Sequence, residues 1–183
     1  MSRTYLCCPG AFTGEECDSI LAFASAAPEA ASVWTHEAYG VDRDSRNSGL
    51  SLLGRDERSE WLFARLDGLF AEAAGPFALP VGPVRDMIQI LRYDVGGHFI
   101  RWHSDAGLDR HEQRRISLSV ELSAPEDYEG GLLEIVPDLI GGPRSLPRGS
   151  VHLFPSRALH HVTEVKRGTR WSLVAWTGAP ESD

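Results

Sequence analysis

Ile116-Ser117-Leu118-Ser119-Val120-Glu121-Leu122 alternates apolar and polar residues without a break, the period of a β-strand with one face in a core. On both sides of it the same short-strand signal repeats. Residues 87–93 and 97–100 precede it, and residues 132–136, 151–154 and 171–176 follow, separated by turns rich in glycine and proline. The first part of the chain reads differently. Thr13-Gly14-Glu15-Glu16 is a capping box that predicts a helix running to about Ala27, before Pro28. Asp56 is a candidate cap for a second helix, in which Trp61, Leu62, Arg65, Leu66, Leu69, Phe70 and Ala73 keep a helical period until Gly75-Pro76 stops it. The expected architecture is mainly β with flanking N-terminal helices, the strands closing a jelly-roll, cupin-like barrel. No linker or repeat divides the chain. It is read as one domain over residues 1–183, with helical support at about 13–75 and a β core at about 84–178. Residues 137–149 read as a long loop able to cover a barrel mouth.

Composition narrows the function. The 183 residues are 42% hydrophobic, enough for a core, and 18 glycines with 11 prolines favour strands and turns over a helical bundle. A net charge of −8 argues against a general nucleic-acid or anionic-membrane binder. There is no run of apolar residues of membrane-spanning length and no basic flank leading into an apolar stretch at the start, so a cytoplasmic protein is expected. Cys7, Cys8 and Cys17 are an odd number, and adjacent cysteines seldom bridge. With no fourth ligand at finger-like spacing, they read as reduced thiols.

The chemistry is carried by a few residues. His103 and Asp105 lie two apart, so at a strand end both side chains leave one face while Ser104 turns away. Alone the pair is a weak signal. His160 follows the strand end Phe154-Pro155-Ser156 after a long gap. Two histidines and one carboxylate form a facial ligand set for a non-haem iron and leave half of its coordination sphere open. His161 points to the opposite face and stays open as the alternative ligand. Ten residues past His160, Arg170 and Ser172 share a strand face in a segment rich in Leu, Val and Trp. An inward guanidinium there needs an anionic partner. Either it forms a structural salt bridge, with Glu134 as the candidate, or it clamps a ligand carboxylate.

At these residues the chain resembles the 2-oxoglutarate- and Fe(II)-dependent oxygenases, in particular their prolyl-4-hydroxylase-like branch. The likeness covers about residues 85–178. It runs through Tyr93-Asp94-Val95-Gly96-Gly97, His103-x-Asp105, Tyr128-Glu129-Gly130-Gly131, Gly149-Ser150-Val151, Leu159-His160-His161-Val162 and Gly168-Thr169-Arg170-Trp171-Ser172. Arg46-Asn47-Ser48 adds a weaker N-terminal likeness. The resemblance implies a double-stranded β-helix, with Fe(II) on His103, Asp105 and His160. It also implies 2-oxoglutarate with its far carboxylate on Arg170, assisted by Ser172, Tyr93 as an added donor, and O2 as the oxidant. Related halogenases replace the metal carboxylate with a small residue. Asp105 is intact, which implies hydroxylation of a C–H bond in a small-molecule or peptidyl substrate. Arg46, Arg101, Trp102 and the 109–111 segment are candidate substrate contacts. Two rivals stand: a cupin-like metalloenzyme that does not use 2-oxoglutarate, and a catalytically silent jelly-roll that keeps a metal for structure.

Overall fold

The computed structural model describes residues 3–34, 39–106, 114–136 and 146–180. Among these, two helices pack on one side of a two-sheet barrel. The larger sheet has seven strands in the order β1 (Leu6–Cys8), β12 (Val151–Pro155), β9 (Ile116–Glu121), β15 (Arg170–Thr177), β7 (Ile88–Tyr93), β6 (Gly49–Leu53), β2 (Glu29–Ala30). The smaller sheet has four, in the order β11 (Leu133–Ile135), β13 (His160–Val162), β8 (His98–His103), β5 (Arg46–Asn47). Every pairing within these sheets is antiparallel. Two ribbons complete the frame, β3 (Val33–Trp34) with β4 (Tyr39–Gly40), and β10 (Tyr128–Gly130) with β14 (Val165–Gly168). The expected jelly-roll, a double-stranded β-helix with N-terminal helices outside it, is what forms.

Helix α2 (Glu60–Phe77) buries Leu62, Phe63, Leu66, Leu69, Phe70, Ala73 and Phe77, one stripe at helical spacing. The stripe lies in the same core as Ile88, Ile90, Leu118, Val120, Leu153, Leu173 and Ala175, the outward side chains of the large sheet. Each fully buried Leu, Ile, Val or Phe in this layer contributes about 1.5–3 kcal/mol. The alternate residues Gln89, Leu91, Tyr93, Ser117, Ser119, Arg170, Ser172 and Val174 face the space between the sheets. Gly149 ties the helical layer to the barrel. Its φ is +82°, and an added Cβ would lie 1.9 Å from the Phe12 carbonyl oxygen. Only glycine permits this approach, in which Phe12 N–H donates to the Gly149 carbonyl at 3.0 Å.

Helix boundaries differ from expectation in two places. The capping box at Thr13 and Glu16 is present, but α1 spans only Gly14–Leu21 and does not reach Ala27. The Ser25 N–H is taken by the Ser51 hydroxyl of β6 at 2.9 Å, which draws the chain toward the sheet. Asp56 does not cap α2 directly. It binds the backbone N–H groups of Arg58 and Ser59 in the turn before it, and Ser59 is the cap residue. Pro76 lies inside the last turn, and the helix ends one residue later, where Ala78 turns left-handed with φ 56°. Among the described residues no helix is long and apolar enough to cross a membrane.

Candidate active site

β8 delivers His103 at its last residue, directly opposite His160 at the first residue of β13. The turn after β8 is pinned by the Ser156 carbonyl, which accepts from the Asp105 and Ala106 N–H groups at 2.9 and 3.0 Å. The Ser104 hydroxyl donates to the same oxygen at 3.0 Å, so Ser104 is turned away from Asp105 as expected. One ligand atom from each of His103, Asp105 and His160 falls within 4.8 Å of the others. The three residues that the sequence singles out, 57 positions apart at the extremes, therefore converge.

Hydrogen bonding fixes which imidazole nitrogen faces inward. His103 Nδ1 lies 2.9 Å from the Arg101 carbonyl and His160 Nδ1 lies 3.0 Å from the Ala158 carbonyl. A carbonyl only accepts, so each Nδ1 carries a proton and each ring turns its Nε2 inward, the atom that offers a lone pair to a metal. His103 Nε2 is 3.9 Å and His160 Nε2 is 3.4 Å from the Asp105 carboxylate. Burial pushes the His103 pKa down to about 4, with His160 adding to the effect, so the ring is a neutral donor at pH 7. Burial opposes the charge on Asp105, while positive charge on the His160 or His103 ring, when either is protonated, and the Ser117 hydroxyl favour it and hold the carboxyl below its usual range. Two lone pairs and a carboxylate face one another at distances that repel unless a cation lies among them. The donor set fits a divalent transition metal of imidazole and carboxylate preference. Phe99 stacks on the His103 ring at 3.7 Å and Phe154 meets His160 edge-on at 4.8 Å, which fixes both rings.

His161 is directed elsewhere. Its Nε2 meets the Glu134 carboxylate at 2.5 Å and its ring stacks on Trp102 at 4.0 Å. Glu134 is thus not the partner of Arg170.

The three residues border a cavity of about 580 Å³ between the sheets, also lined by Tyr93, Arg170 and Ser172. Arg170 is 1% exposed, and its Nη2 donates to Glu121 Oε1 at 2.9 Å. Its guanidinium carbon lies 5.6 Å from the centre of the Tyr93 ring, directly across from it on β7. Burial opposes the charge on Glu121, but Arg170 and His152 outweigh it and lower its pKa to about 2. Arg46, Arg101 and Trp102 also line the cavity, Trp102 at 40% exposure on its rim. The expected contacts at 109–111, and most of the 137–149 loop, lie outside the described residues.

Sequence reading missed Ser117, which donates to Asp105 at 2.7 Å, and the pair Glu121 and His152. The signal was present. The polar half of the 116–122 alternation is turned away from solvent, Ser117 and Ser119 lining the cavity and Glu121 buried behind its wall.

Residues 88–178 match the model of the 2OG-Fe(II) oxygenase superfamily, and the chain belongs to that family. The family's cofactor and co-substrates are Fe(II), 2-oxoglutarate and O2. A PKHD-type hydroxylase of Synechococcus sp. (strain JA-2-3B'a(2-13)) is 41% identical over 92 residues, which cover 49% of this chain and 41% of that protein. The chain thus spans about two-fifths of the length of the curated relatives it matches. Its fold matches a Pseudomonas putida prolyl-4-hydroxylase with a TM-score of 0.70 at 16% identity, covering 97% of this chain and 94% of that one. A Trichoplax adhaerens prolyl hydroxylase, in complex with a peptide fragment of the hypoxia inducible factor oxygen degradation domain, matches with a TM-score of 0.76 at 17% identity. That match covers 96% of this chain and 83% of the other.

Proposed function

We propose that the chain is a 2-oxoglutarate-dependent Fe(II) hydroxylase, with iron held by His103, Asp105 and His160. The convergence of two inward Nε2 atoms on a half-buried carboxylate, in one cavity with a buried arginine, carries this reading. Bound iron would supply the activation of O2, in a reaction that turns 2-oxoglutarate, O2 and a substrate C–H bond into succinate, CO2 and an alcohol.

The protein's own residues bind, orient and exclude water. The Arg101 and Ala158 carbonyls hold the two imidazoles in the donor tautomer, and Ser117 orients Asp105 by a hydrogen bond. Arg170, with Ser172 and Tyr93 beside it on the cavity wall, takes the far carboxylate of 2-oxoglutarate. Leu91, Phe99, Phe154 and Val162 supply apolar wall that keeps bulk water from the reacting centre. The substrate enters past Trp102, Arg101 and Arg46. It is a peptidyl side chain, a free amino acid or another small metabolite, oxidised in the cytoplasm. The peptide in the Trichoplax neighbour puts the peptidyl side chain first.

The test is anaerobic titration of iron-loaded protein with 2-oxoglutarate, followed by exposure to O2. A visible charge-transfer band and then succinate are expected. A cupin-like enzyme that does not use the keto acid would give neither. Alanine at His103, Asp105 or His160 should abolish succinate formation, and full activity in any one removes that residue from the ligand set. Oxygen-dependent mass gains of one oxygen atom in cell extract would identify the substrate.

A further inference from the structure

Behind Arg170 a polar chain continues into the large sheet through residues to which the proposed reaction gives no role. Arg170 Nη2 meets Glu121 Oε1 at 2.9 Å, and the same oxygen accepts from His152 Nε2 at 3.1 Å. His152 Nδ1 in turn meets the Tyr5 hydroxyl at 2.9 Å. Glu121 is 3% exposed and His152 4%. Arg170 lines the cavity and Glu121 does not, so the carboxylate lies behind the guanidinium as seen by a ligand. Among the described residues, Arg170 Nε and Glu121 Oε2 have no hydrogen-bond partner.

The charge of Arg170 is therefore cancelled by a protein carboxylate before any ligand arrives. A second carboxylate approaching this pair is attracted by the guanidinium and repelled by Glu121 just behind it. In a buried site both forces are strong, and the second offsets much of the first. An uncharged polar end, by contrast, loses little beside a neutral pair, because it still finds guanidinium N–H groups.

We propose that Glu121 is a positioning residue that sets co-substrate selectivity: by neutralising Arg170, it makes this end of the cavity discriminate only weakly between 2-oxo acids with a charged and with an uncharged distal end. The inference rests on the reading of the cavity as a 2-oxo acid site. Glu121 acts through Arg170 and does not itself touch the ligand. His152 and Tyr5 hold Glu121 in place from the β1 side of the sheet.

The experiment uses the full iron-loaded chain and compares 2-oxoglutarate with its 5-methyl ester, whose distal end is polar but uncharged. Anaerobic binding constants are measured together with KM and kcat for CO2 release. In the wild type the preference for 2-oxoglutarate should be under about tenfold. Glu121→Gln keeps the shape and an acceptor for Arg170 but removes the charge. It should raise that preference at least about tenfold, through a lower KM for 2-oxoglutarate, with kcat moving less than about threefold. Glu121→Asp keeps the charge and should stay within about threefold of the wild-type preference. A merely structural role would instead weaken both keto acids together. An unchanged preference in Glu121→Gln, or an equal rise in Glu121→Asp, overturns the inference. So does a wild-type preference above about a hundredfold, which needs no variant to fold. If the wild type binds neither keto acid, the 2-oxo acid reading falls and takes this inference with it.

Discussion

The Ser117 hydroxyl donates a 2.7 Å hydrogen bond to Asp105 Oδ2 and lies 2.9 Å from the Ser156 hydroxyl, so the carboxylate of the proposed iron site is steered from the opposite sheet. Losing such a partner of a metal ligand typically costs about 10–100-fold in metal affinity. Ser117→Ala should therefore weaken Fe(II) binding by about tenfold or more while leaving the melting temperature of the metal-free protein little changed. Competition with a coloured chelator measures this. Wild-type affinity in the variant would show that the hydroxyl does not steer the ligand.

Adjacent histidines should behave in opposite ways. His160→Ala removes an inward Nε2 and should abolish tight metal binding. His161→Ala breaks the contact with Glu134 and the stack on Trp102, and should keep wild-type metal affinity. Parallel equilibrium dialysis of the two variants decides the assignment, and loss of binding in His161→Ala would reverse it.

Removing one partner of a buried ion pair leaves an uncompensated charge, at a cost of about 3–5 kcal/mol. Arg170→Ala should destabilise the fold by that order. Arg170→Ala combined with Glu121→Gln should recover much of the loss, because no buried charge is then left unpaired. Urea denaturation of the single and double variants measures the coupling. Additive losses would mean that the two side chains are not coupled.

The same pair makes acid stability depend on pH. The Glu121 pKa is depressed from 4.5 to about 2 in the folded protein. Its contribution is thus complete above the unfolded value and disappears as pH falls from about 4.5 toward 2, with a size on the order of 3 kcal/mol. Unfolding free energies measured between pH 5 and 3 should fall more steeply in the wild type than in Glu121→Gln. Identical slopes would contradict the shift.

The helical layer offers a check on the fold itself. Leu66 is fully buried against the large sheet, and Leu66→Ala should cost about 2–5 kcal/mol. A loss under about 1 kcal/mol in urea denaturation would mean that α2 is not packed as described.

How much of this was legible before the structure follows from what each residue depends on. Strand period and turn residues are local, so the barrel strands at 88–93, 116–121, 151–155 and 170–177 were readable to within a few residues. The shared face of His103 and Asp105 follows from their spacing on a strand end, whereas His160 was singled out by its own alternation and its ten-residue distance to Arg170. β1, β2 and β5 were not. They are two or three residues long and exist only because partners elsewhere in the chain supply the hydrogen bonds. The partner of Arg170 was misjudged for a related reason. Glu134 and Glu121 are equally plausible on charge, and the choice is made by register, which sets Glu121 opposite Ser172 and Glu134 opposite His161. Alternation in β9 marks one apolar and one polar face but does not say whether the polar side meets solvent or a cavity, so Ser117 and Glu121 were not legible as inward residues.

β1 runs along the edge of the large sheet, and Tyr5, just before it, touches His152. Trimming or tagging this first stretch would not be a neutral convenience of protein production. A handle that displaced Tyr5 would loosen His152, then Glu121, then the guanidinium at the cavity wall, and so would register as altered kinetics of the proposed keto-acid reaction in an otherwise intact fold.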